Sequence, residues 1–246
     1  MPAQHDTACA RRQGPRPWRR DPRGRYRRPV SEGVQARTTR LFGRGKDADR
    51  IAYYSDAVFA IAMTLLVLDL RVPLGSESAL AVLQAEWPSY LTFALSFTIV
   101  AYFWVGHHRR FRVVTGYDTG FIIINLVLLF LVASVPFPTS LIGEFAPETA
   151  AVVLYAAVVV ALCAVELVQW SYARRRGLLA ADVDAGVFWF VVLDFVPVLV
   201  VFGLSIPIAL VWGGETAMWS WFATFVLAPI VGVTSRRVID RRTARA

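Results

Sequence analysis

The sequence is poor in charge for its length. Only 18% of its 246 residues are charged, whereas 56% are hydrophobic and eight are Trp. A soluble domain of this size needs a larger share of charged surface, so the composition argues against a water-soluble enzyme or binding domain. Cysteine is also scarce, because the chain has only Cys9 and Cys163. Cys9 lies in a basic segment and Cys163 in a predicted helix, so we expect free thiols and no disulfide framework.

Long apolar segments take the place of the missing charge. Six of them have about the twenty residues that a helix needs to cross the hydrocarbon core of a bilayer. They are Ile51–Leu70, Tyr90–Gly106, Phe121–Ile142, Ala150–Trp170, Val187–Val211 and Ala217–Val233. The Pro136–Pro138 sequence breaks the third segment, and Pro197 and Pro207 predict kinks in the fifth. The sequence therefore predicts an all-α membrane protein with six transmembrane helices per chain, within residues 47–235.

The basic residues are distributed unevenly between the two sides of these spans. Fourteen of the 26 Lys and Arg residues lie from Arg11 to Arg50, and only Arg71 falls in a loop on the opposite side. Such a bias predicts that both termini are cytoplasmic in a multi-pass protein of the inner (plasma) membrane. Residues 1–46 are predicted to form a basic, disordered tail and residues 236–246 a short basic tail. We expect the first tail to meet anionic membrane lipids or simply to be solvated, and not to bind nucleic acid.

The first span carries a carboxylate close to its start. Asp56 lies in RIAYYSDAVFAIAMTLLVLDL, roughly 8–9 Å along a helix that rises 1.5 Å per residue. An ionised carboxylate that faces lipid at the bilayer centre costs about 3 kcal/mol on the lenient insertion scales. We therefore expect Asp56 to face protein partners or water. The candidate partners in the same membrane leaflet are Arg50, Trp104, His107 and Asn125.

A mostly apolar stripe lies on the opposite side of the same helix. At about 100° per residue, the residues within about 60° of Ile61 are Ala57, Thr64, Leu65 and Leu68. Ser55 and Asp56 lie about 120° and 140° from Ile61. The pattern suits a helix that fixes its polar side to its own subunit and directs its stripe elsewhere. Contact with lipid or with another helix remains an alternative for the stripe.

The first half of the chain resembles a known channel family. The stretch R-x-x-x-[FY]-S-D, from Arg50 to Asp56, and the AVFAIAMTLLVLDL after it resemble the first-helix signature of one family. This is the family of the endolysosomal potassium channel, transmembrane protein 175. Further motifs follow in the same order as in the family: W-x-x-H at Trp104 and His107, then HRRF, NL at Asn125-Leu126 and PFPT at Pro136–Thr139. The resemblance covers about residues 47–142, and Tyr54 stands where the signature usually has Phe.

The resemblance implies a homotetrameric, potassium-permeable channel. Four copies of the first helix would line the pore at the symmetry axis, and no TVGYG-like filter sequence occurs. The pore constriction expected from the resemblance consists of Ile61, Thr64, Leu65 and Leu68. The network expected to anchor the pore helix consists of Arg50, Tyr54, Ser55, Asp56, Trp104, His107 and Asn125. Potassium would be the permeating ion, and neither a cofactor nor a bound metal is expected.

A coupled transporter is the main alternative. The intramembrane carboxylates Glu166 and Asp194, together with His107, could carry protons or coupling cations. Simpler expectations are that Glu166 reaches Arg174 and that His107 bonds to Asp56, where its titration would make gating sensitive to pH. An intramembrane enzyme is a third alternative, but no catalytic signature is present, so we predict that the chain is not an enzyme.

Overall fold

Six apolar helical spans make up most of the described part of the chain, as the hydropathy pattern predicts. The structure is a computed structural model that describes residues 19–20, 26–27, 48–70, 78–224, 226–228 and 230–234. The spans are Asp49–Asp69, Trp87–Phe111, Thr119–Phe145, Thr149–Arg175, Ala185–Trp212 and Gly214–Thr234. The predicted all-α membrane fold with six spans is confirmed.

The helices are numbered here in chain order. They are α1 (Ala48–Leu65), α2 (Ala79–Ala85), α3 (Trp87–Phe111), α4 (Thr119–Ser134), α5 (Pro136–Phe145), α6 (Thr149–Arg175), α7 (Ala185–Trp212) and α8 (Gly214–Trp221). A single 3₁₀ turn, Leu66–Asp69, extends α1. The short helix α2, which caps its own N-terminus through the Ser78 side chain, was not predicted from the sequence.

Turn residues at the span ends explain where the helices begin and end. Asp118 accepts a hydrogen bond from the Phe121 backbone N–H at 2.9 Å and caps α4. In the same way the Asp184 carboxylate accepts a hydrogen bond from the Val187 backbone N–H at 2.7 Å and caps α7. Pro136 stands at the first turn of α5, where its missing N–H does no harm. It therefore divides the third span into α4 and α5, as the sequence predicts. Gly213, with φ of 89°, makes the tight connection between α7 and α8.

The helix α6 lies at the centre of the bundle. It packs against α4, α5, α7 and α8, while α1 packs against α3 and α4 at one side. Its buried side carries Val152, Tyr155, Val159, Leu162 and Cys163. Because α1 has neighbours on one side only, its other side is left uncovered within this chain.

The N-terminal unit, residues Met1–Arg44, is described only in part. Two-residue strands, β1 (Arg19–Arg20) and β2 (Tyr26–Arg27), pair antiparallel with Arg19 opposite Arg27. The prediction of a disordered basic tail over residues 1–46 otherwise lies outside the described residues. The predicted C-terminal tail, residues 236–246, also lies outside them.

Candidate pore helix and its anchoring contacts

The helix α1 has one buried side and one exposed side. The fully buried positions of α1 and of the 3₁₀ turn that extends it, spaced four, three and four residues apart, are Ser55, Phe59, Ala62 and Leu66. This spacing keeps them on one face of the helix. On the opposite face Ile61 is 58% exposed and Leu68 is 66% exposed, and Leu65, Thr64 and Ala57 are exposed as well. The stripe derived from helical angles is therefore the side of α1 that its own chain leaves uncovered.

A chain of buried hydrogen bonds joins α1 to α4 and α6. The Ser55 hydroxyl donates to the Ile51 carbonyl at 2.8 Å and accepts from Asn125 Nδ2 at 3.0 Å. Asn125 Oδ1 in turn accepts from Gln169 Nε2 at 3.0 Å. All three side chains are buried. The chain fixes the rotation of α1 because any other rotation would leave buried polar groups unpaired. The sequence analysis missed Gln169.

Asp56 lies beside α3 at the membrane edge. Its Oδ1 accepts a hydrogen bond from Trp104 Nε1 at 2.9 Å. Its Oδ2 lies 3.8 Å from Nδ1 of His108, whose ring packs on Trp104 with a centroid distance of 5.7 Å. The expectation that His107 bonds to Asp56 is wrong. The histidine beside Trp104 and Asp56 is His108, four residues after the tryptophan on α3.

His107 points instead toward a buried carboxylate on α6. Its Nδ1 lies 3.5 Å from Glu166 Oε1, and Arg110 Nη2 lies 2.6 Å from Glu166 Oε2. The expectation that Glu166 reaches Arg174 is wrong, because Arg110 of α3 supplies the countercharge. The His107 ring also contacts Phe59 on the buried side of α1, with centroids 5.4 Å apart. A pair of opposite charges this deeply buried ties α3 to α6.

Two expected members of the anchoring network lie on the exposed surface. Arg50 is exposed, and Tyr54 is 57% exposed. Neither side chain hydrogen-bonds to another residue that the structure describes. Of the expected members, Ser55, Asp56, Trp104 and Asn125 make the side-chain hydrogen bonds of the network within the described ranges.

A second set of polar contacts holds the far end of α1. Asp69, in the 3₁₀ turn, accepts a hydrogen bond from the Ser140 hydroxyl of α5 at 2.6 Å. The neighbouring Thr139 donates to Ser96 at 2.9 Å, and Ser96 lies 3.0 Å from the Tyr155 hydroxyl. These residues were not singled out from the sequence. The PFPT sequence that carries Thr139 is a signal that could have found them.

Asp118 joins the start of α4 to the end of α6. Burial favours its protonated form, but the Phe121 N–H, Arg176 and the Tyr172 hydroxyl stabilise the carboxylate and hold its pKa below the usual value. The Arg176 Nε lies 3.1 Å from Oδ2, and the Tyr172 hydroxyl lies 3.0 Å from Oδ1.

The remaining polar residues offer no metal centre. No group of three or more His, Cys, Asp or Glu side chains in the described ranges is arranged to hold a metal ion. Asp194 accepts a hydrogen bond from the Tyr102 hydroxyl through its backbone carbonyl at 2.6 Å. Its side chain borders a surface cavity beside Arg109.

Six spans joined by buried polar contacts, with one amphipathic first span left uncovered, define a multi-pass membrane protein of the channel or transporter class. The family model described as the endosomal/lysosomal potassium channel TMEM175 matches residues 50–136. A potassium channel of Streptomyces collinus is 37% identical over 146 residues, which are 56% of this chain and 71% of that protein. A potassium channel of Chamaesiphon minutus is 39% identical over 143 residues, which are 55% of this chain and 70% of that protein.

Solved structures agree with the sequence relatives. The crystal structure of a lysosomal potassium-selective channel TMEM175 homolog from Chamaesiphon minutus matches with a TM-score of 0.62 and 30% identity, covering 78% of this chain and 99% of that one. The human endosomal/lysosomal proton channel TMEM175 is 29% identical over 141 residues, but only 28% of its length is covered. The chain belongs to the TMEM175 family. The family resemblance expected from the motifs is confirmed, and membership of a channel family confirms that the chain is not an enzyme.

Proposed function

We propose that the chain forms a potassium-permeable channel that conducts ions passively, as a homotetramer in the inner (plasma) membrane. The match to two bacterial relatives named potassium channels covers about 70% of the length of each relative. The observation that supports this proposal is that α1 buries the side that includes Ser55 and leaves the side around Ile61 uncovered. A symmetry axis beside that side would turn it into a pore wall. Both termini are cytoplasmic in this proposal, because 25 of the 26 basic residues then lie on that side.

The exposed residues suit a hydrophobic gate. Four copies each of Ile61, Leu65 and Leu68 would form stacked apolar rings around the axis. A narrow ring of this kind holds no continuous water when closed and admits cations when it widens. The buried contacts of Ser55 and Asp56 would set the rotation that presents these residues to the axis.

Thr64 is suited to contact the permeating ion. Its hydroxyl donates to the Ile61 carbonyl at 2.8 Å. Because the hydroxyl hydrogen is used inside the helix, the oxygen can present its lone pairs to a cation. Four such oxygens, one from each copy, would replace part of the hydration shell and favour one alkali cation over another.

A proton- or cation-coupled transporter is the second candidate. The observation in its favour is the buried contact of Glu166 with His107, together with the proton-channel names of the vertebrate relatives. Arg110 lies 2.6 Å from Glu166 and neutralises it, which supports a structural ion pair. A carboxylate held in this way is poorly suited to take up and release protons.

Ion flux in liposomes separates the two candidates. Purified protein is reconstituted, and potassium flux is followed under a potassium gradient with and without a proton gradient. A channel conducts down the potassium gradient alone, and a coupled transporter requires the proton gradient.

The variant Ile61→Asn tests the constriction in the same assay. We expect a larger and less selective leak, because a polar ring no longer expels water. The matched control is Ile123→Asn, the same substitution at an exposed isoleucine of α4. If Ile61→Asn left both conduction and selectivity unchanged, Ile61 would not line the pore.

A further inference from the structure

The uncovered side of α1 continues past the apolar stripe to the first turn of the helix. At about 100° per residue, Arg50 and Tyr54 lie about 20° to either side of Ile61. Arg50 is exposed, and Tyr54 is 57% exposed, nearly the same fraction as Ile61. With a rise of 1.5 Å per residue, Arg50 stands roughly 16 Å from Ile61 along the helix. It is at the end of α1 that the proposed function places in the cytoplasm.

Apolar contacts hold the first turns of α1 in this rotation. Ile51 and Ala52 are partly buried and pack against a cluster that includes Phe111 and Phe121. Around the helix, Ile51 lies about 100° from Arg50 and Ala52 about 160° from it. The Arg50 side chain therefore leaves the helix on the side that faces away from its own subunit.

Neither carboxylate of these turns shares the side of α1 that carries Arg50. Asp49 lies about 100° from Arg50 and Asp56 about 120° from it. The Oδ1 of Asp56 accepts the hydrogen bond of Trp104 at 2.9 Å. No ion pair joins Arg50 to a carboxylate in the part of the chain that the structure describes. Because a guanidinium keeps its charge throughout the physiological pH range, this side of the first turn carries a positive charge.

We propose that four copies of Arg50 form a ring of positive charge at the cytoplasmic mouth of the pore, and that this ring limits the entry of potassium from the cytoplasm. The inference rests on the proposed function, because the ring exists only if the side of α1 around Ile61 faces a shared axis. Rings of charged side chains change the local concentration of ions at a pore. A positive ring repels cations at its own end and has less effect on those that enter from the other end. The channel therefore passes potassium inward more readily than outward.

Coulomb's law gives the size of the effect. If each guanidinium stands about 10 Å from the axis, roughly the width of one helix, four charges act together on a cation at the centre. At about 0.15 M salt, where the screening length is about 8 Å, they lower the local potassium concentration about two-fold. At about 0.015 M salt the screening length is roughly 25 Å, and the same charges lower that concentration about six-fold. An effect of side-chain size would not depend on salt in this way.

Currents through inside-out patches from cells that express the chain test the proposal. Both solutions contain the same potassium concentration, first about 0.015 M and then about 0.15 M. In Arg50→Gln we expect the outward current to rise about six-fold at the lower concentration and about two-fold at the higher one, with a smaller change in the inward current. Arg50→Lys keeps the charge, and Arg175→Gln removes the charge of an exposed arginine at the end of α6, so both controls should conduct as the unmodified protein does.

The charge at position 50 can also be changed after the channel has assembled. In Arg50→Cys, with Cys9→Ser and Cys163→Ala, a water-soluble thiol reagent is added to the cytoplasmic solution. A reagent that leaves a sulfonate should raise the outward current, and a reagent that leaves an ammonium group should lower it. Each patch is its own reference before the reagent is added, so the result does not depend on how well the variant folds.

Two results would overturn the ring and leave the proposed function standing. If potassium still flowed while Arg50→Gln and both reagents left the outward current unchanged, Arg50 would lie outside the ion path. A change of equal size at both salt concentrations would assign the effect to the shape of the mouth and not to its charge. If the unmodified protein conducted no potassium in either direction, the proposed function would fail and the ring with it.

Discussion

The buried ion pair between α3 and α6 gives a prediction whose size follows from its geometry. Glu166 is fully buried, Arg110 is 8% exposed, and the joined atoms are 2.6 Å apart. The substitution Glu166→Gln keeps the size of the side chain and removes its charge. It leaves Arg110 buried without a counterion, which costs about 3–5 kcal/mol in folded proteins. For a chain of this length, that loss lowers the unfolding midpoint by roughly 6–20 °C.

Thermal unfolding of the purified protein in detergent, followed by size-exclusion chromatography, measures this loss. The control is Glu144→Gln, the same substitution at an exposed glutamate of α5, for which we expect a shift close to zero. The double variant Glu166→Gln/Arg110→Gln removes both charges. It should be more stable than Glu166→Gln alone, because no unpaired charge remains buried.

A midpoint for Glu166→Gln within about 2 °C of the unmodified protein would refute the structural role of the pair. If that variant were as stable as the unmodified protein yet lost a proton-dependent flux, Glu166 would be a proton carrier. That result would favour the coupled transporter over the channel.

Three further predictions concern the anchoring contacts and the pore. Asn125→Leu removes the hydrogen bond that Ser55 accepts and leaves the buried Gln169 Nε2 without its acceptor, so we expect a loss of about 1–3 kcal/mol in thermal unfolding. Asp118 has a lowered pKa in the folded protein, so its stabilisation is present above its unfolded value of about 4 and is lost as the pH falls further. Asp118→Asn should therefore be less stable at pH 7 and equal to the unmodified protein at low pH. Thr64→Val should keep conductance but reduce the preference for potassium over sodium in reversal-potential measurements.

Each of these predictions has an outcome that contradicts it. An unchanged midpoint for Asn125→Leu would mean that the buried hydrogen bonds do not hold α1. A stability difference for Asp118→Asn that persists unchanged below pH 3 would assign the effect to something other than the carboxylate charge. Unaltered selectivity in Thr64→Val would place the threonine hydroxyls outside the ion path.

The spans and the exposed stripe could be predicted because they depend on local patterns. Hydropathy gives the six segments, the proline at 136 gives the break between α4 and α5, and helical spacing gives the two sides of α1. The exposed position of Ile61 follows from the same spacing. The 3₁₀ turn at Leu66–Asp69 was missed, since its tighter winding is set by contacts such as that of Asp69 with Ser140.

The partners of the buried charges could not be predicted because they depend on which helices are neighbours. Glu166 lies near Arg174 in the sequence, but the Arg110 side chain of α3 reaches it across the bundle. For His107 and His108 an error of one residue rotates the helix by about 100° and exchanges their roles. The position of Trp104 does not decide between them, because residues three and four positions after it both lie near its face.

Cross-linking at position 61 tests the central claim most directly. In a background with Cys9→Ser and Cys163→Ala, the variant Ile61→Cys is treated in membranes with a short thiol-specific cross-linker, and Ile123→Cys serves as the control. The account predicts covalent dimers for Ile61→Cys and none for Ile123→Cys. If Ile61→Cys stayed monomeric while lipid-soluble thiol reagents labelled it readily, the uncovered side of α1 would face lipid and not a shared axis.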